Sequence, residues 1–303
     1  MTDRLEVGVG SVRLCNPVLA ASGTAGHGAE LSAYVDLATL GGVVVKSLSA
    51  TPWAGNPAPR LHGAGAAMVN SVGLQGPGVA AWIEHDLPAL RRTRATVLAS
   101  IWGRTAEEFG AAAALLRGVP GIVALEVNLS CPNLDGGRHL FAHDPRATAA
   151  VLEAAAAAGL PLWAKLSPNT DRLVEVAGVA RDAGAEAVVV ANTVLGMVLD
   201  TELGRPVLGN GGGGLSGPAI HAIVVRAVWD VYAAHPGLPI VGVGGVRDAL
   251  SAVELLQAGA SAVEVGTATL VDPRATAKVL VGLDRWLADH RTSAVALVGR
   301  AHG

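Results

Sequence analysis

The chain has 303 residues, 51% of them hydrophobic and 16% charged, with a formal net charge of −3. That length and apolar content suit one large packed core, and the absence of a Lys/Arg stripe argues against a nucleic-acid partner. No apolar run reaches the roughly 18 residues of a membrane span, and MTDRLEVGVG lacks the apolar stretch of a secretory signal, so the expectation is a soluble cytoplasmic protein without membrane contact.

In chain order, Leu5–Val7 and Val12–Leu14 around Gly8 and Gly10 read as a hairpin closing the bottom of the fold. Eight short apolar runs follow: Pro17–Ala21, Val43–Lys46, Thr96–Ile101, Val123–Asn128, Leu162–Leu166, Ala187–Asn192, Ile240–Gly242 and Ala262–Gly266. Between them lie Ala/Leu-rich amphipathic stretches, among them Ala106–Leu116, Pro145–Ala158, Asp171–Ala183, Pro218–Ala234 and Asp248–Ala258. Asp144-Pro145, Asp248 and Asp272-Pro273 read as helix starts. Strands alternating with helices in that number predict an α/β fold, a (β/α)8 TIM barrel formed by residues 1–303 as a single domain. Two connections, Ser47 to Gly78 and Thr193 to Gly217, are too long for turns and read as active-site loops.

Barrel chemistry gathers at the C-terminal ends of the strands. Those ends deliver Ser22, Lys46 with Ser47, Ser100, Asn128 followed by Cys131, Lys165, Asn192 with Thr193, Gly244-Gly245 and Gly266-Thr267. A lysine ending an apolar strand is costly to bury unless an anion meets it. The late glycine pairs precede helices, where bare backbone N–H groups suit a phosphate. Phosphate cradle, lysines, amides and a thiol on one rim fit flavin mononucleotide (FMN), with Lys165 near N1 and the C2 oxygen of the ring. Taken singly each signal is weak. Glycine pairs also mark tight turns, a rim lysine is often solvated, and a lone cysteine is often a small buried hydrophobe. Cys15 and Cys131 have no spacing for a zinc site or an iron–sulfur cluster held by this chain, and no His pair has metal-ligand spacing.

Several segments resemble the catalytic subunit of class I dihydroorotate dehydrogenases: NPVLAASGT, VVVKS, GNPAPR, MVNSVGLQGPG, NLSCPN, WAKLSPN, NTVLGM, GGLSGPAI, GVGGV and VGTA. The run from Gly136 to Pro145 and RPVLGNGGGGLSG are similar to the NAD-linked branch, class IB. The resemblance implies oxidation of dihydroorotate to orotate in pyrimidine biosynthesis. Cys131 would be the base that takes the C5 proton while a hydride leaves C6 for N5 of FMN. It implies Lys46, Asn70, Ser71, Val72, Gly73, Leu74, Asn128, Asn133, Asn192 and Thr193 around the substrate. It implies Ser22, Lys46, Ser47, Ser100, Asn128, Lys165, Gly217, Gly244, Gly245, Gly266 and Thr267 around FMN. It further implies a homodimeric core and a separate electron-transfer subunit carrying FAD and an iron–sulfur cluster. The sequence departs from the family at Ser100 and Gly76, where asparagine is usual, and at Ala142-His143, where a Gly-Thr pair is common. Other readings of the same residues are a barrel acting on a different reduced pyrimidine, like dihydropyrimidine dehydrogenase, and a flavin-free phosphate-binding lyase or isomerase.

Overall fold

The computed structural model describes residues 4–130 and 140–303. Eight parallel strands close a barrel in chain order: Val18–Ala20, Gly42–Val44, Val97–Ile101, Ile122–Asn128, Leu162–Lys165, Ala185–Val190, Ile240–Val243 and Ala262–Val265. The eighth closes on the first through Val263 opposite Val18. The strands are buried along nearly their whole length, as expected where helices cover the outer face and side chains fill the inner one. All eight sequence-read strands are present, with ends shifted by up to a few residues; the second, for instance, begins one residue earlier and stops at Val44.

The outer helices follow their local signals. Ala106–Leu116 is capped by Thr105, whose side chain accepts from the Glu108 amide, and it buries Phe109, Ala112, Ala113 and Leu116. That spacing is one face of a helix. Asp144 caps Pro145–Ala155, and Asp248 forms a reciprocal capping box with Ser251 at the head of Ala249–Ala258. The expected start at Asp272-Pro273 is displaced. The helix there runs Ala275–Asp289, and the Asp272 carboxylate instead accepts from the Arg274 amide and pairs with Lys278.

The N-terminal hairpin pairs Val7–Val9 with Val12–Leu14, so its first strand lies two residues later than the sequence suggested. Its apolar side chains are buried, and the Ser11 amide donates to Glu186 Oε2 (2.7 Å) at the start of the sixth barrel strand, the bottom of the barrel.

The two long connections are not irregular loops. They pair with one another in a four-stranded antiparallel sheet, ordered Val194–Gly196, Gly213–Ser216, Ala67–Asn70, Leu61–Ala64. Both leave the C-terminal ends of barrel strands, so this sheet stands on the rim that carries the polar residues. Among the described residues, no helix is long and apolar enough to cross a membrane.

Candidate active site

The upper interior of the barrel is polar. Lys165, last residue of the fifth strand, is buried, and its Nζ donates to Ser22 Oγ (3.1 Å), Glu126 Oε2 (3.3 Å) and Glu264 Oε2 (3.1 Å). Ser100 Oγ donates to Glu126 Oε1 (3.0 Å) and lies 2.8 Å from Ser47 Oγ. Asn128 Nδ2 donates to Ser47 Oγ (3.3 Å), and Asn192 Nδ2 donates to Asn128 Oδ1 (3.2 Å). Side chains from seven barrel strands or their C-terminal ends thus form one connected network. The strand period of two places Glu126 and Asn128 on the same inward face, the first beneath the second.

The anions that meet Lys165 are therefore Glu126 and Glu264. Burial alone pulls the lysine's pKa down, but the Glu126 carboxylate and then Glu264 outweigh it and hold the pKa above the ordinary lysine value. Burial raises Glu264 to about 8, with Lys165 opposing the rise and Glu126 adding to it. Reading only strand ends misses these two acids. The available signal was a single carboxylate inside each of the apolar runs IVALEVN and AVEV, since such a group needs a buried partner.

Gly217, Gly245 and Thr267 meet in the glycine cradle. Thr267 Oγ1 donates to Ser216 Oγ (2.8 Å). Gly217 and Gly245 have φ of +92° and +71°, the left-handed region that favours glycine. A Cβ on Gly245 would lie 2.6 Å from His221 Cβ and 3.2 Å from the Gly217 carbonyl oxygen, so no side chain fits there. The cradle opens into a cavity of about 770 Å³ whose lining also includes Met68, Arg247 and Lys278. Bare amides beside Arg247 and Lys278, the latter paired with Asp272 in the same lining, suit a phosphate monoester.

On the other part of the rim, Asn70 Nδ2 donates to the Gly214 carbonyl oxygen (3.2 Å). A Cβ on Gly214 would strike Thr193, so the two long connections bring Asn70 and Thr193 to either side of Gly214. Beyond Asn70, the Ser71 amide donates to the Arg60 carbonyl oxygen, whereas the amides of Val72, Gly73 and Leu74 have no acceptor among the described residues. Leu74 has φ of +60°, an uncommon conformation for a residue with a side chain and one that gathers at binding loops. Lys46 has no carboxylate partner among the described residues. Burial and then the Arg60 guanidinium hold its pKa below the usual lysine value. Arg60, which the sequence reading passed over, donates to the carbonyl oxygens of Asn56 (2.6 Å) and Ala54 (3.0 Å) and to the Gln75 side chain, again with no carboxylate among the described residues.

Two departures from the family pattern acquire a physical reason. Ser100 is fully buried, its hydroxyl engaged by Glu126 and Ser47. Gly76 leaves space for His27, whose Nε2 would lie 3.2 Å from a Cβ at that position. Cys131 and Asn133 fall outside the described residues. The chain on either side of them is anchored: the Leu129 amide donates to the Lys165 carbonyl oxygen (3.1 Å), and the Ala142 amide donates to the Leu129 carbonyl oxygen (2.9 Å).

Comparison with known proteins agrees with this arrangement. The family described as dihydroorotate dehydrogenase matches residues 4–287. The catalytic subunit of dihydroorotate dehydrogenase B (NAD(+)) from Desulforudis audaxviator (strain MP104C) is 47% identical over 304 residues, covering 100% of this chain and 99% of the relative. The subunits of the same name from Desulforamulus reducens and Trichlorobacter lovleyi are 45% and 43% identical over 305 residues, covering 100% of both chains in each case. With the family model matched from residue 4 to residue 287 and full-length relatives at 43% to 47% identity, the chain belongs to the dihydroorotate dehydrogenase family.

Proposed function

We propose that the chain oxidises dihydroorotate to orotate in pyrimidine biosynthesis, with FMN as its cofactor, and that it is the catalytic subunit of an NAD-linked enzyme. The observation that carries the substrate is the pairing of two cations lacking carboxylate partners among the described residues, Lys46 and Arg60, with three amides lacking acceptors there, Val72 to Leu74, on one rim. Together with Ser71 they form a receptor for a small ring bearing a carboxylate. Asn70, Asn128, Asn192 and Thr193 supply side chains that both donate and accept, as the ring amides of a pyrimidine require. Asn133 joins them on the strength of the family motif.

The chemistry that bound FMN supplies is acceptance of the hydride from C6 of the substrate. The chain's own part is binding and proton transfer. Gly217, Gly244, Gly245, Gly266 and Thr267 hold the phosphate; Ser22, Ser47, Ser100, Asn128 and Lys165 line the ring side. Cys131 takes the proton from C5: a thiol, with a free pKa of about 8.5, is a better base near neutral pH than a hydroxyl. One cradle for a single phosphate monoester favours FMN over a dinucleotide. The word "subunit" in the relatives' names supports a separate partner, which would carry FAD and an iron–sulfur cluster and pass the electrons to NAD in the cytoplasm, around a homodimer of this chain.

The test is the visible spectrum of the purified chain under anaerobic conditions. Addition of dihydroorotate bleaches the flavin band, dihydrouracil does not, and the cofactor released on denaturation is FMN. A colourless chain after flavin-supplemented folding, or bleaching by dihydrouracil alone, overturns the reading.

A further inference from the structure

Glu264 lies in the eighth barrel strand with no exposed surface. One oxygen, Oε2, accepts from Lys165 (3.1 Å), the other, Oε1, is buried with no donor among the described residues, and the Glu126 carboxyl group lies within hydrogen-bonding reach of Glu264. Glu126, equally buried, accepts from the same ammonium and from the Ser100 hydroxyl. Two carboxylates thus face one cation. With both ionised the cluster carries one excess negative charge in the barrel interior; with a proton on Glu264 it is neutral. An unpaired buried charge is strongly unfavourable, so the neutral form is the resting one. Among the described residues, the ionisable groups that face Glu264 are Lys165 and Glu126. The fifth strand brings Lys165, the fourth Glu126 and the first the uncharged Ser22, while the ladder neighbours Val243 and Leu19 are apolar. The rise of Glu264 to about 8 agrees with that charge count.

We propose that Glu264 is a positioning residue that acts on the flavin through Lys165, sharing one proton between the barrel interior and solvent according to the charge on the ring. This rests on the reading of FMN above Lys165. When Glu264 is neutral, Lys165 is balanced by Glu126 alone and its field supports the negative charge that the ring gains on reduction. When Glu264 is ionised, the same reduction would place a further negative charge over a cluster already in excess, and a proton enters to offset it. The ring receives its hydride, two electrons and a proton, from C6 of the substrate. Separately, one solvent proton bonds to the Glu264 carboxylate, and it leaves again on reoxidation. No electrons move in that step. The half-exposed Ser22 hydroxyl, 3.1 Å from Lys165 Nζ, and Lys165 itself connect Glu264 with the rim.

The test is the midpoint potential of the FMN-loaded protein, followed spectroelectrochemically from about pH 6 to about pH 10. Each extra proton taken up with two electrons shifts the reduction equilibrium tenfold per pH unit, or about 30 mV. The wild-type profile steepens by that increment above about pH 8. In Glu264→Gln, which keeps the volume and a hydrogen-bonding end, the added steepness disappears. A wild-type profile of constant slope overturns the proposal without any variant, and so does a break that survives in Glu264→Gln. An infrared band of a protonated carboxyl group in the flavin-free chain at neutral pH, absent from Glu264→Gln, is the second expected result; its absence from the wild type also overturns the proposal. A chain that binds no FMN overturns the cofactor reading as well, whereas FMN bound with an unbroken profile overturns this proposal alone.

Discussion

Replacing Lys165 by methionine removes the one cation from a cluster that contains two buried carboxylates. The Lys165 Nζ to Glu126 Oε2 distance is 3.3 Å, which at an effective dielectric constant of about 20 corresponds to about 5 kcal/mol of attraction. Breaking a buried pair by removing one partner typically destabilises by about 3–5 kcal/mol, because the remaining charge is stranded. Glu264 can shed its charge by holding a proton. Among the described residues Glu126 then keeps the Ser100 hydroxyl, at 3.0 Å, and the neutral Glu264 carboxyl group as partners, with no cation. Lys165→Met should therefore lower the flavin-free chain's stability by roughly 3–5 kcal/mol, read as a fall in the denaturation midpoint on the order of 10 °C. The double variant Lys165→Met/Glu126→Gln removes the stranded charge and should recover more than half of the loss, since neighbouring sites in one network are not additive. Urea denaturation of the four proteins of the cycle, with unchanged m-values, is the assay. A Lys165→Met variant as stable as the wild type would mean that the pairing of Lys165 with the two buried carboxyl groups contributes little to stability, and the charge balance argued for the barrel interior would be wrong.

Three further outcomes are expected. Cys131→Ala should keep its flavin and bind orotate, while stopped-flow reduction by dihydroorotate slows roughly a hundredfold or more, the range a positioned base supplies; reduction at the wild-type rate would remove the thiol from the mechanism. Gly76→Asn should destabilise the chain by about 1–3 kcal/mol, because a Cβ there lies 3.2 Å from His27 Nε2, and His27→Ala in the same chain should relieve it; an unperturbed thermal midpoint in Gly76→Asn counts against the packing argument. The pH dependence of stability carries a definite sign at Glu264. Its folded pKa is raised to about 8 above an unfolded value of about 4.3, so its contribution is fully present below the unfolded value and is lost as pH rises through about 8. Wild-type stability should thus decline across that window more steeply than that of Glu264→Gln, as measured by denaturant titrations at several pH values; parallel curves would refute the assignment.

The eight strands, the helix caps and the rim residues were legible from local signals. Period, apolar runs and capping residues are properties of a few neighbouring positions, and a parallel barrel imposes strand order once the count is known. Asp248 is a clear case: its capping box with Ser251 spans three residues and needs nothing from elsewhere in the chain. Only the tertiary structure decided three other things. It joined the two long connections into one sheet, since Asn70 and Gly214 are 144 positions apart and their pairing leaves no local mark. It showed that Lys165 is met by carboxylates from the fourth and eighth strands, since barrel closure, not sequence spacing, carries Glu126 and Glu264 to one ammonium. And it identified Lys46 and Arg60 as the rim cations without carboxylate partners among the described residues, because whether a charge is compensated depends on which distant groups the fold brings within a few ångströms of it.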